Sequence, residues 1–92
     1  MILGMYSVRD RASVSFGNPM FIPSRGQALR SFSDEVNRVD ANNILNTHPE
    51  DFDLFYLGDF DTNTGQFASL VNPEQIAVGK DVVIARGWSM TK

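Results

Sequence analysis

Three oxygen-bearing side chains alternate in the middle of the sequence, at Asp59, Asp61 and Asn63. An EF-hand calcium loop has ligands at its first, third and fifth positions, so this spacing suggests a calcium site. The pattern then fails, because the sixth position holds Thr64 instead of glycine and the twelfth holds Leu70 instead of a bidentate glutamate. The sequence therefore predicts no metal site in this segment.

Catalytic side chains are scarce in the chain. His48 is its only histidine, and it has no cysteine. The serines lack the spacing of a nucleophile elbow, and the glycines form no phosphate-binding loop, so we predict no enzymatic activity and no cofactor. A histidine and two carboxylates in a polar loop need not serve packing, so His48, Glu50 and Asp51 are predicted to form a candidate partner loop.

A second candidate site combines basic and aromatic side chains. The basic residues could follow a phosphate backbone while an aromatic ring stacks on a base. The candidate nucleic-acid contacts are Arg9, Arg11, Arg25, Arg30, Arg38 and Tyr56. Eight basic residues against eleven acidic ones give a net charge of −3, which disfavours nucleic-acid binding at long range. Solvated arginines, and aromatic rings packed in a core or a dimer, remain the favoured interpretation.

The segment from Asp53 to Phe67 supplies the clearest structural signal. Aromatic and aliphatic residues precede a polar turn in which Asp61, Asn63 and Gly65 tolerate left-handed backbone angles. This pattern predicts a β-hairpin. Bulky side chains alternate to both sides of its first strand, which is typical of a strand that is buried on two faces or lies at an interface.

Strands and one long helix are predicted before this hairpin. Residues 2–8 and 13–16 favour strands joined by a loop at residues 9–11, and residues 20–22 could add a short edge strand. Ser24 and Gln27 fit a capping box that begins a helix ending near Val39. Its apolar side chains recur every three or four residues, so one face is expected to pack on the sheet.

A short second helix is predicted after the hairpin, with Asn72 as its cap, Pro73 at its first position and Gly79 at its end. The β-branched residues 82–84 could form a last strand or a docking segment. Residues 86–92 are expected to fray around Trp88.

The chain length and composition are compatible with one small domain over residues 1–92. Its 42% hydrophobic residues support a modest core, and the apolar run at residues 1–6 is too short to cross a membrane. We predict an α+β fold, an antiparallel sheet of about four strands in the order strand, strand, helix, strand, strand, with the main helix on one face. Because so small a core gains from further burial, we expect a homo-oligomer.

Several segments together resemble the small nonstructural protein of gokushovirus-type microviruses, which are phages with single-stranded DNA genomes. No catalytic residues belong to the family pattern. The matching segments are Tyr6-Ser7-Val8-Arg9-Asp10, Phe21-Ile22-Pro23, Ala28-Leu29-Arg30-Ser31-Phe32, His48-Pro49-Glu50-Asp51, Leu54-Phe55-Tyr56-Leu57-Gly58, Phe60-Asp61, Thr64-Gly65-Gln66-Phe67 and Pro73-Glu74.

The resemblance implies a phage accessory protein that acts in the host bacterial cytoplasm during replication or packaging of single-stranded DNA. Its partners would be the phage replication initiator or host replication proteins, reached through protein contacts. Direct binding of single-stranded DNA is one alternative. A structural module that associates with the capsid during assembly is another.

Overall fold

The computed structural model describes residues 1–84, which form a five-stranded antiparallel sheet with one main helix. The strands are β1 (Ile2–Asp10), β2 (Ser15–Phe16), β3 (Met20–Ile22), β4 (Phe52–Asp61) and β5 (Gln66–Val78). They lie in the order β2-β1-β4-β5, and β3 pairs with β1 on the same edge as β2. The predicted α+β class is confirmed, although β3 adds a third strand before the helix and changes the predicted order.

The main helix, α1, spans Arg25–Asn37 and begins as the sequence predicts. The Ser24 hydroxyl oxygen accepts a hydrogen bond from the Gln27 backbone N–H at 3.2 Å, which satisfies one free donor of the first turn. The Ser24 hydroxyl also donates to the Gln27 side-chain oxygen at 3.2 Å. A short helix, α2 (Ile44–Thr47), and a 3-10 turn at Pro49–Asp51 then lead into β4.

The core lies between α1 and the two central strands. Ala28, Phe32 and Val36 recur every four residues along α1, so they share one face of the helix. They pack with Tyr6 of β1 and Leu54 of β4, and all five side chains are buried.

The hairpin predicted over residues 53–67 is confirmed by β4, β5 and the turn between them. Gly65 has a φ of +73°, in the left-handed region that glycine adopts without steric cost, and its N–H donates to the Asp61 carbonyl at 2.7 Å. Gly58 has a φ of +137° inside β4, and its position is crowded by the backbone of Ala68 and Ser69 on β5. A side chain at Gly58 would therefore disrupt the β4–β5 pairing.

The helix predicted at Asn72–Gly79 is wrong, because these residues belong to β5 and to the 3-10 turn that follows it at Gly79–Val82. Backbone pairing with β4 overrides the local capping pattern. Pro73 cannot donate to a β-ladder, and it lies where the register shifts between the Tyr56–Glu74 and Gly58–Ser69 pairs. The proline is therefore accommodated by a bulge.

No strand forms at residues 82–84, so of the two alternatives predicted for this segment, a last strand or a docking segment, the first is wrong. Val82 ends the 3-10 turn and packs against the core, and the Ile84 N–H donates to the Asn37 side-chain oxygen at 2.8 Å. The segment instead docks at the end of α1, the alternative that the sequence left open. The predicted tail at 86–92, with Trp88, lies outside the described residues. Among residues 1–84, none of the helices has the length and apolar character needed to cross a membrane.

Candidate protein-contact surface

Phenylalanines gather on the face of the sheet opposite α1. Side chains alternate between the faces of a strand, so the neighbours of the core residues Tyr6 and Leu54 project away from the helix. We call this group the open aromatic face. It consists of Phe16 on β2, Phe21 on β3, Phe55 and Phe60 on β4, and Phe67 on β5.

These five rings form two clusters. Phe21, Phe60 and Phe67 have ring centroids 4.9 to 6.2 Å apart, and Phe16 lies 5.2 Å from Phe55 in an edge-to-face arrangement. Three of the rings remain open to solvent, with exposed fractions of 61% for Phe67, 44% for Phe16 and 42% for Phe21. The face therefore presents rigid apolar rings that are only partly packed against one another.

The contact between Phe21 and Phe67 shows that the sheet is strongly curled. These residues belong to β3 and β5, which are separated by β1 and β4. In a flat sheet three strand spacings would separate them by about 14 Å, yet their ring centroids lie 6.2 Å apart. Register shifts in β4 and β5 supply the extra bending, because bulges increase local twist. The open aromatic face is the concave side of the sheet.

A second apolar feature lies beside this face on the edge strand β5. Four residues of β5, at positions 70–73, stand opposite Leu57 alone on β4, so they form an outward bulge. Val71 is 96% exposed and Leu70 is 39% exposed. We call residues 70–73 the β5 bulge. The β5 bulge therefore adds two exposed apolar side chains to the outer edge of the sheet.

Two of the predicted nucleic-acid contacts are held in close ion pairs. Arg11 donates two hydrogen bonds of 2.8 Å to Asp53, whose side chain is 2% exposed. Arg38 donates to Glu35 at 2.8 Å and to Asp40 at 3.1 Å. The hydrogen bond from Arg38 lowers the pKa of the Glu35 carboxyl below its usual value. The positive charges of Arg11 and Arg38 are therefore largely compensated within the chain.

Arg25 and Tyr56 lie together at the start of α1. The Arg25 guanidinium is 5.3 Å from the centroid of the Tyr56 ring and contacts the Glu74 carboxylate at 3.3 Å. The Tyr56 hydroxyl donates to Asp59 at 2.6 Å, and this hydrogen bond, with burial, raises the pKa of Tyr56 to about 12. Its ring also packs at 5.4 Å against Tyr6. Tyr56 is thus occupied by contacts within the protein.

Arg9 and Arg30 have no ion pair within residues 1–84. Arg9 lies on β1 with its guanidinium 5.9 Å from the Phe16 ring, at the border of the open aromatic face. Arg30 is exposed on α1, which covers the opposite face of the sheet. The six candidate contacts are therefore divided between separate parts of the surface and do not form one basic patch.

The candidate partner loop joins α2 to β4. His48 ends α2, and its Nδ1 atom lies 3.8 Å from a carboxylate oxygen of Glu50, with Asp51 close by. The three possible ligand atoms lie within 4.8 Å of one another. The His48 and Glu50 side chains are 63% and 59% exposed. The loop is an accessible polar site, and its role in partner binding stays a prediction.

The sequence did not predict Phe16 and Phe21, two members of the open aromatic face, as site residues. Each lies in a strand of two or three residues, too short for alternation to assign a face. The only available signal was the apolar segment Met20–Ile22 between Pro19 and Pro23. Phe67 was expected in a core or a dimer; it is 61% exposed in the single chain, so it is not a core residue, and packing in a dimer stays a prediction.

The fold and this surface define a small α+β domain with a curled antiparallel sheet whose concave face is aromatic. Residues 3–82 match the profile of the Phage ORF5 protein family. The chain is also 44% identical over 64 residues to Protein ORF5 of Chlamydia phage 1, an alignment that covers 67% of each chain. It therefore belongs to the Phage ORF5 protein family, and the resemblance to a small protein of gokushovirus-type phages is confirmed. No solved structure matches the chain.

Proposed function

We propose that this phage protein is a non-enzymatic accessory factor that acts in replication or packaging of viral single-stranded DNA through protein contacts. Its setting is the host bacterial cytoplasm. Its partners are further copies of the chain, together with the phage replication initiator or a host replication protein. The replication setting follows from the family resemblance, whereas the mode of action follows from the surface.

The observation that carries this proposal is the apolar surface formed by the open aromatic face and the β5 bulge. Phe67 and Val71 are 61% and 96% exposed, although burial of hydrophobic side chains of this kind is favourable in free energy. Aromatic side chains are enriched in the centres of protein interfaces, where charged residues are depleted. The surface therefore suits a protein partner.

Affinity capture from infected bacteria tests the proposal. A tagged wild-type chain is expected to retain the replication initiator or a host replication protein, identified by mass spectrometry. Val71→Ser should reduce that recovery. Val39→Ser is the matched control, because Val39 is also largely exposed, at 71%, but lies beyond the end of α1 and outside the apolar surface. Equal loss with both variants, or no replication protein with the wild type, contradicts the proposal.

Direct binding of single-stranded DNA is a second candidate that one observation favours. Arg9 has no ion pair within the described residues and lies over Phe16, which packs on Phe55. A cation beside exposed aromatic rings is the arrangement that sequence-tolerant single-strand binders use. The weakness of this candidate is that Arg11, Arg25 and Arg38 are already paired with carboxylates.

Fluorescence anisotropy with a labelled oligonucleotide separates the two candidates. A DNA-binding protein should bind at low salt and weaken steeply as the salt concentration rises, because phosphate contacts release counterions. Arg9→Gln should then weaken binding more than Arg30→Gln, since only Arg9 lies beside the aromatic rings. Absence of binding at low salt excludes this second candidate and leaves the protein-contact proposal unaffected.

A further inference from the structure

A cleft that the proposed function does not use lies at the turn end of the β4–β5 hairpin. Its volume is about 260 Å³. It is lined by Ile2, Asp59, Asp61, Gln66, Phe67 and Ala68. A cleft of this volume can hold one long side chain of a bound protein, and it is smaller than most cofactor sites.

The cleft carries negative charge between apolar walls. Asp59 and Asp61 lie two residues apart on β4, so their carboxylates project to the same face of the sheet. Asp59 accepts a hydrogen bond from the Tyr56 hydroxyl at 2.6 Å, and Asp61 accepts one from the Asn63 N–H at 2.8 Å. Neither carboxylate forms an ion pair with a basic side chain of residues 1–84.

The walls of the cleft match the stem of a basic side chain. Ile2, Phe67 and Ala68 provide apolar contact area beside the two carboxylates. Lysine and arginine place their methylene stems along apolar surface while the charged group reaches a polar partner. A phosphate or a nucleic-acid backbone would be repelled by the same carboxylates. Charge complementarity therefore selects a cationic group.

An independent feature beside the cleft points to an extended peptide. β5 is the last strand of the sheet, and its outer edge faces no other strand within residues 1–84. Residues 66–69 at the mouth of the cleft are all exposed. An open strand edge offers a row of backbone donors and acceptors that an additional strand can satisfy.

We propose that the outer edge of β5 at residues 66–69 binds an extended segment of a protein partner, with a lysine or arginine of that segment entering the Asp59–Asp61 cleft. This inference rests on the proposed function and specifies the chemistry of the partner. Backbone hydrogen bonds to β5 supply affinity, and the two carboxylates supply selectivity for a basic side chain. Asp59 and Asp61 flank Phe60 on β4, so their side chains project to the face opposite the open aromatic face, and the cleft is a separate surface that shares Phe67 with it.

Labelled short peptides of alternating threonine and lysine provide the first test. The wild-type protein should bind such a peptide and bind it less tightly as salt rises. A peptide with glutamate in place of lysine should not bind. A lysine peptide with N-methylated backbone amides should bind weakly, because methylation removes the strand-pairing donors. Equal binding of the lysine and glutamate peptides overturns the proposal.

Paired charge variants locate the binding site. Asp59→Asn/Asp61→Asn keeps the hydrogen-bond acceptors for Tyr56 and Asn63 and should weaken lysine-peptide binding by about tenfold. Asp34→Asn/Asp81→Asn makes the same change in net charge at exposed residues away from the cleft and should leave binding within about twofold of wild type. Equal effects of the two double variants overturn the assignment of the cleft.

Affinity capture from infected bacteria distinguishes failure of this inference from failure of the proposed function. If the inference holds, Asp59→Asn/Asp61→Asn and Val71→Ser both reduce recovery of the replication protein. If only Val71→Ser does so, the partner uses the apolar surface alone, and the cleft proposal is overturned while the proposed function stands.

Discussion

The guanidinium of Arg11 donates two hydrogen bonds of 2.8 Å to the carboxylate of Asp53, a residue 42 positions later in the sequence. The Asp53 side chain is 2% exposed, whereas that of Arg11 is 46% exposed. The hydrogen bonds from Arg11 therefore compensate a carboxylate that water can scarcely reach. The pair joins the turn after β1 to the start of β4, so the contacts of Arg11 stabilise the fold and its guanidinium is not free for a ligand.

We predict that Arg11→Ala lowers the melting temperature by several degrees, because it leaves a buried carboxylate without its cationic partner. Arg38→Ala is the control. It removes an arginine whose carboxylate partners, Glu35 and Asp40, are both 43% exposed, and exposed pairs contribute little to stability. Thermal unfolding followed by circular dichroism measures both variants. Equal shifts in melting temperature would show that the buried Asp53 carboxylate does not need Arg11 for its stabilisation.

Gly58 provides a prediction about the hairpin. Because Gly58 has a φ of +137° and its position is crowded by the backbone of Ala68 and Ser69, Gly58→Ala should reduce the free energy of unfolding by about 3 kcal/mol. Gly26→Ala is the matched control, since that glycine lies in α1 with open space around it and alanine should add about 0.5–1 kcal/mol. Urea denaturation measures both. A neutral Gly58→Ala would contradict the crowded β4–β5 contact.

Tyr56 provides a prediction about pH. Its pKa is raised to about 12 by the hydrogen bond to Asp59, so the neutral phenol is favoured in the folded protein. The resulting stability is fully present below the ordinary tyrosine pKa of about 10 and is lost as the pH rises from about 10 to 12. Wild type should therefore lose stability across this interval relative to Tyr56→Phe.

Nuclear magnetic resonance of the Tyr56 Cζ carbon gives the pKa directly. The titration midpoint should lie near 12 in the wild type and fall in Asp59→Asn, because a neutral amide no longer repels the phenolate. A wild-type midpoint near 10 would mean that the Tyr56–Asp59 hydrogen bond does not persist in solution.

The exposed phenylalanines provide a prediction about self-association. We expect the wild-type chain to form oligomers at micromolar concentration and Phe21→Ser/Phe67→Ser to shift the equilibrium toward monomer, since both rings lie on the open aromatic face. Val14→Ser/Val39→Ser removes two exposed apolar side chains elsewhere and should leave the oligomer unchanged. Sedimentation equilibrium reports the mass. A monomeric wild type would remove self-association from the proposal.

The elements that the sequence predicts well are those whose signals are local. Ser24 caps α1, and the 62–65 turn ends at Gly65, because each depends on backbone groups only a few residues away. Asn72-Pro73 gives an equally local helix signal and fails, because pairing with β4 stabilises an extended backbone there instead. Local rules could not reveal that competition.

The site was less predictable than the fold because its properties arise from distant contacts. The sequence predicts Arg11 as a solvated surface arginine, whereas the fold places Asp53 within hydrogen-bond distance of it. The open aromatic face depends on the curl that brings Phe21 of one edge strand to Phe67 of the other. Neither relationship has a signature in residue type or spacing.

The central claim is that the protein acts through apolar protein contacts. Affinity capture from infected bacteria with wild type, Phe67→Ser and Val39→Ser tests it most directly, because Phe67 and Val39 are similarly exposed at 61% and 71%. We predict that wild type and Val39→Ser recover the phage replication initiator or a host replication protein, and that Phe67→Ser recovers much less. Undiminished recovery with Phe67→Ser, or recovery of no replication protein with wild type, would contradict the claim.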